Sequence, residues 1–152
     1  MQIEELEIIF PLGRPKTEEI FLWLDDIRLP PVGWVWVKTA AEAIKVLETG
    51  RVVECSLDHD LATEHYNDIH GYSDSGYVRE PTGYAVVLWM AEHNSFPDIV
   101  RIHSMNPVGA KAMAQLVGRF RNSSLKPQLN FGAHEKYEPD EIERLEILNS
   151  CF

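Results

Sequence analysis

The run Ile20-Phe21-Leu22-Trp23-Leu24 breaks off at Asp25-Asp26, and that break decides how the rest of the chain is read. A continuous apolar run with β-branched and aromatic members predicts a strand buried on both faces, as in a parallel sheet. Val52 to Leu57 is another strand candidate, again ending in acid, at Asp58-His59-Asp60. Ile99 to His103 is another, running into Ser104-Met105-Asn106. Trp34 to Val37 is a further strand candidate. It is separated from the first by Arg28-Leu29-Pro30-Pro31-Val32-Gly33, a loop by its prolines and glycine.

Helices are expected between these strands. Thr39-Ala40-Ala41-Glu42 matches a capping box, with apolar residues following at helical spacing and Gly50 as the stop. Thr82 to His93 reads as a second helix. Asn106 as cap and Pro107 at the first helical position open a third, continuing to Phe120. Glu138-Pro139-Asp140 opens a short last helix through Leu148, while Leu6 to Phe10 and Gln128 to Phe131 are weaker strand candidates. The order β–β–α–β–α–β–α predicts an α/β fold: one three-layer domain over residues 1–152, with helices flanking both faces of a mostly parallel sheet of four to five strands.

Composition narrows the partners. The 152 residues hold 24 acidic and 14 basic side chains, so duplex nucleic acid, which needs clustered cations, is a poor partner. No apolar stretch approaches the roughly 20 residues needed to cross a bilayer, and none reads as a signal peptide. Cys55 and Cys151 form no metal-ligand spacing, and a reducing, cytoplasmic setting is the expectation. Trp23, Trp34, Trp36 and Trp89 are read as packing residues.

Ligands of open α/β sheets bind beyond the carboxyl ends of the strands, where three polar clusters converge here. Two carboxylates about 4 Å apart repel by roughly 4 kcal/mol at an effective dielectric near 20. A site that gathers three or four of Asp25, Asp26, Asp58 and Asp60 therefore calls for a cation, shared protons or separation. Mg²⁺ suits carboxylates plus a substrate phosphate, and nearby histidines admit Mn²⁺ or Zn²⁺. His59 and His103 can serve as general acid or base, with Asp60 orienting one of them. Ser104, the helix start at Asn106 and Lys38 are candidate phosphate contacts. The segment 61–81, rich in tyrosine and histidine, leaves this site directly and is expected to act as a lid or a substrate-selecting flap.

Leu22 to Arg28, Pro31 to Trp34, Val37 to Ile44, Ser56 to Leu61, Thr82 to Tyr84 and His103 to Gly109 together resemble the cyclic-phosphate-processing receiver-like domains. The resemblance covers roughly 20–120, leaving 1–19 and 121–152 as terminal extensions. It implies a receiver-like fold, a divalent cation (Mg²⁺ or Mn²⁺) at Asp25, Asp26 and Asp58, and a small-molecule cyclic phosphate of nucleotide or ADP-ribose type as substrate. The sequence departs from ordinary receivers in three ways. His59, Asp60 and His103 are additions, the first receiver helix is reduced to a turn, and no lysine clearly ends a fifth strand, with Lys126 and Lys136 as candidates. A phosphohydrolase is the leading expectation. A phosphoacceptor signalling module using Asp58, or a nucleotide-binding protein without catalysis, are the alternatives.

Overall fold

A computed structural model describes residues 18–61, 82–120, 125–126 and 135–152. The expected strands at Leu6 to Phe10 and Gln128 to Phe131, and nearly all of segment 61–81, lie outside them. The described elements run β1 (Ile20–Leu24), β2 (Val35–Val37), α1 (Ala40–Leu47), β3 (Val52–Leu57), α2 (Gly83–Glu92), β4 (Ile99–Ile102), α3 (Pro107–Phe120), β5 (Leu125–Lys126) and α4 (Glu141–Asn149). The five strands form one sheet in the order β2-β1-β3-β4-β5. Every pairing is parallel. This is the receiver-like α/β architecture that the strand–helix alternation predicts, with the flavodoxin-like strand order.

The connections beyond β2 step in one direction across the sheet. Right-handed crossovers then place their helices on a common face, and α1 packs on α2, and α2 on α3. The core beneath them comes from alternate strand residues: Ile20, Leu22 and Leu24, Val35 and Val37, Cys55 and Leu57, and Val100. Burial pushes the Cys55 thiol pKa well up, which leaves it inert. The β1–β2 connection steps the opposite way, and its ten-residue span contains no helix. The second face of the sheet carries an aromatic group at that end: Phe21 lies 5.5 Å and Trp23 6.0 Å from Trp34, centroid to centroid. Among the described residues, no helix is long and apolar enough to cross a membrane.

The helix starts follow the local chemistry. Thr39 Oγ1 accepts the Glu42 amide at 3.1 Å, and the Glu42 carboxylate reaches back to the Lys38 amide at 2.8 Å. Thr82 caps α2 and Asp140 caps α4. The outer edge of β2 is closed by buried Arg144 of α4, which donates to the Trp36 carbonyl at 3.1 Å and pairs with Glu42. That contact satisfies an edge carbonyl and blocks further strand pairing.

Gly83 shows how tightly α2 meets the end of β3. Its amide donates to the His59 carbonyl at 2.9 Å. A Cβ there would lie 1.9 Å from the Asp58 carbonyl oxygen. Gly83→Ala is expected to cost about 3 kcal/mol or more in urea unfolding, because backbone must move. Gly50, at φ +75° with open space around it, is the comparison: Gly50→Ala is expected to cost about 1–2 kcal/mol. Equal losses at the two positions would contradict this reading of Gly83.

Candidate functional site

The chain steps from β1 out to β2 and then back across β1 to β3. The topological switch point therefore lies between the carboxyl ends of β1 and β3. Leu24 and Leu57 are register partners, so the residues that follow them, Asp25 and Asp58, emerge side by side. Backbone bonds lace the strand ends together: the Asp58 amide donates to Leu24 O, and the His103 amide to Leu57 O. One carboxylate oxygen from each of Asp25, Asp26 and Asp58 falls within 4.8 Å of the others. A cleft of about 170 Å³ opens over them, lined by Asp25, Asp26, Ile27, Arg28, Asp58, Asp60 and Met105.

Asp25 is only 1% exposed, and its carboxylate is heavily engaged. Oδ1 accepts the amides of Ile27 and Arg28, both at 2.8 Å. Oδ2 lies 3.0 Å from His103 Nε2. This double acceptance at Oδ1 folds the 25–28 turn, and the Trp23 indole N–H clamps it further by donating to the Arg28 carbonyl at 3.0 Å. Asp58 has the opposite problem. Burial, reinforced by the neighbouring Asp25 charge, raises its carboxyl pKa from 3.8 to about 7. The His59 amide, the Ser104 hydroxyl and Arg28 oppose that rise without cancelling it. A buried carboxyl repelled by its neighbour is the electrostatic signature of a site that a cation would complete. The three aspartates fit an oxygen-seeking divalent ion, Mg²⁺ or Mn²⁺, better than a softer metal.

The two histidines separate. His59 is partly exposed, and its Nδ1 lies 2.7 Å from Asp60 Oδ1. Its ring is pressed against Gly109, where a Cβ would come within 2.5 Å of the imidazole. His103 is completely buried. Ser56 Oγ lies 2.6 Å from its Nδ1, Asp25 occupies its Nε2, and Trp23 stacks on the ring at 4.1 Å. Burial lowers the His103 pKa below its ordinary value, which favours the neutral ring.

The remaining expected residues are placed as follows. Ser104 accepts the Asn106 amide at 3.0 Å and bonds Asp58. Asn106 caps α3 by accepting the Gly109 amide at 2.9 Å, and its Nδ2 donates to Asp60. With Pro107 lacking an N–H and Gly109 committed to the cap, the first turn of α3 offers only the Val108 amide to an anion. Lys38 is turned away: its Nζ lies 3.4 Å from Glu141 of α4 and over the Trp36 ring. Lys126 does close β5, in register with Arg101, and it does not line the cleft. Arg28 was not anticipated from the sequence, yet it is the only cation lining the cleft among the described residues. Its guanidinium donates to the His103 carbonyl at 3.1 Å. Its position three residues beyond Asp25, inside the turn that Asp25 holds, was the signal available.

A receiver-like sheet carrying an acidic crevice at its switch point defines the class. The model of the cyclic-phosphate processing receiver domain matches residues 20–119, and the chain belongs to that family. No curated protein and no solved structure matches the chain.

The raised Asp58 pKa makes stability depend on pH. Between about pH 4 and 7 the folded protein keeps a proton that the unfolded chain releases. The contribution of Asp58 is therefore full below pH 4 and lost as pH rises through 7. The metal-free protein is expected to lose melting temperature from pH 5.5 to 8 through this group. Asp58→Asn should flatten that slope and melt higher than wild type at pH 8. Parallel slopes for the two proteins would contradict the assignment.

Proposed function

We propose that the protein hydrolyses a cyclic phosphate on a small molecule of nucleotide or ADP-ribose type, as a divalent-cation-dependent cyclic phosphodiesterase. The supporting observation is the charge of the cleft: among the described residues, four aspartates against Arg28 alone. Bare, such a cleft repels a phosphate; with a cation at Asp25, Asp26 and Asp58 it accepts one. The ion would supply charge neutralisation and polarisation of the P–O bonds. Arg28 adds a forked donor suited to phosphate oxygens, and the Val108 amide adds a further N–H.

Of the two histidines, His59 suits proton transfer: it stands beside the cleft lining rather than in it, partly exposed and tied to Asp60, which does line the cleft. Asp60 holds the Nδ1–H, which leaves the Nε2 lone pair to take a proton from the attacking water. Water oxygen bonds to phosphorus, one ring ester bond breaks, and the proton on His59 passes to the departing alkoxide. Asn106 steadies Asp60 from the other side. His103, buried with both ring nitrogens engaged, acts behind the site rather than on the substrate.

The assay is turnover of 2′,3′-cyclic nucleotides, 3′,5′-cyclic nucleotides and ADP-ribose cyclic phosphate with Mg²⁺ or Mn²⁺. His59→Ala is expected to lower kcat by roughly 10²–10⁴-fold, with KM little changed. Absence of turnover on all three substrates by the cation-bound protein would overturn the reading. A second reading, a phosphoacceptor, is favoured by one observation: Asp58 ends central strand β3 with the Ser104 hydroxyl bonded to it. It predicts a hydroxylamine-labile adduct at Asp58 after exposure to a small phosphodonor.

A further inference from the structure

β3 reads Val-Val-Glu-Cys-Ser-Leu, and Ser56 interrupts the apolar run at a position with no solvent exposure. A buried hydroxyl beside a buried imidazole is a costly choice in a sheet that otherwise fills such positions with apolar residues. The two belong to a chain that ends in the cleft: Ser56 Oγ at 2.6 Å from His103 Nδ1, and His103 Nε2 at 3.0 Å from Asp25 Oδ2. We propose that Ser56 and His103 are positioning residues that fix how Asp25 presents its carboxylate to a divalent cation. The proposal rests on the cation reading above and names what sets the affinity of that site.

A carboxylate offers about four acceptor positions. Oδ1 of Asp25 spends two on the amides of Ile27 and Arg28. His103 spends a third, on Oδ2. One position remains, on Oδ2, with the Arg28 guanidinium 3.9 Å from that oxygen, so Asp25 can bind a cation through a single oxygen and cannot chelate it. The carboxylate only accepts, so the hydrogen on the ring must be at Nε2. Nδ1 is then bare, and the Ser56 hydroxyl is the group placed to donate to it. Ser56 therefore holds the tautomer, and the tautomer holds Oδ2.

The ring cannot swing away from this duty. It lies flat on Trp23, 10° from parallel at 4.1 Å, and Trp23 and Ser56 are register partners on adjacent strands. Arg28 closes the circuit by donating to the His103 carbonyl, while its own carbonyl takes the Trp23 N–H. Hydrogen-bonded partners of metal-ligating groups typically control affinity by 10–100-fold.

The experiment measures Mn²⁺ affinity of the full chain by calorimetry, with no turnover involved. His103→Gln keeps an N–H where Nε2 stood, and His103→Leu removes it. Binding by His103→Leu is expected to fall about 10–100-fold, while His103→Gln stays close to wild type. Ser56→Ala leaves the ring in place, is expected to fall between the two, and is rescued by Ser56→Thr. It serves as the deciding variant should His103→Leu fail to fold. Imidazole ¹⁵N shifts of the wild type are expected to show the Nε2-protonated ring. Undiminished binding by His103→Leu or Ser56→Ala, or an Nδ1-protonated ring, overturns the relay and leaves the cation reading standing. Failure of the wild type to bind Mn²⁺ overturns both.

Discussion

Asp25 puts a carboxylate where almost no water reaches it, and protein donors do the solvating instead. Two amides of the following turn and one imidazole nitrogen converge on it. Its own carbonyl takes the Trp36 indole N–H. Much of the carboxyl edge of the sheet depends on these bonds. They fold a β1–β2 connection that has no helix to organise it, and they tie β4 to β1 through His103. They also set Arg28 at the mouth of the cleft.

With Asp25 solvated by protein, the unfavourable charge is left on Asp58. It sits under the same roof with fewer donors and a like charge beside it, and its pKa rises to about 7. Charges within 4.8 Å repel by roughly 3 kcal/mol a pair at an effective dielectric near 20. A sheet that had only to fold would place neutral residues there. Stability given up at strand ends, beside an acidic cleft, is the usual mark of a site built to receive something.

Much of this was legible in the sequence because its causes are local. Strand ends showed as hydrophobic stretches stopping at polar clusters, and Thr39 and Asn106 announced their helices by capping chemistry that spans three residues. The parallel order followed from the alternation of elements. What was not legible depends on partners distant in the chain. Lys38 looks like a free cation at a strand end until α4 brings Glu141 to it, about a hundred positions later. Asn106 looks like a phosphate anchor until its amide group is spent on Gly109 and Asp60. His59 and His103 read alike in sequence, and only burial and the Ser56 contact part them. Gly83 and Gly109 are each required by a close approach to the 58–59 backbone or ring, which no local pattern reports.

Anomalous scattering from crystals grown with Mn²⁺ tests most directly whether a cation sits among the three aspartates. The predicted result is one strong peak bounded by carboxylate oxygens of Asp25, Asp26 and Asp58, with Asp25 contributing Oδ2 alone. A peak held elsewhere, or none between these carboxylates at millimolar Mn²⁺ and pH 8, would contradict it.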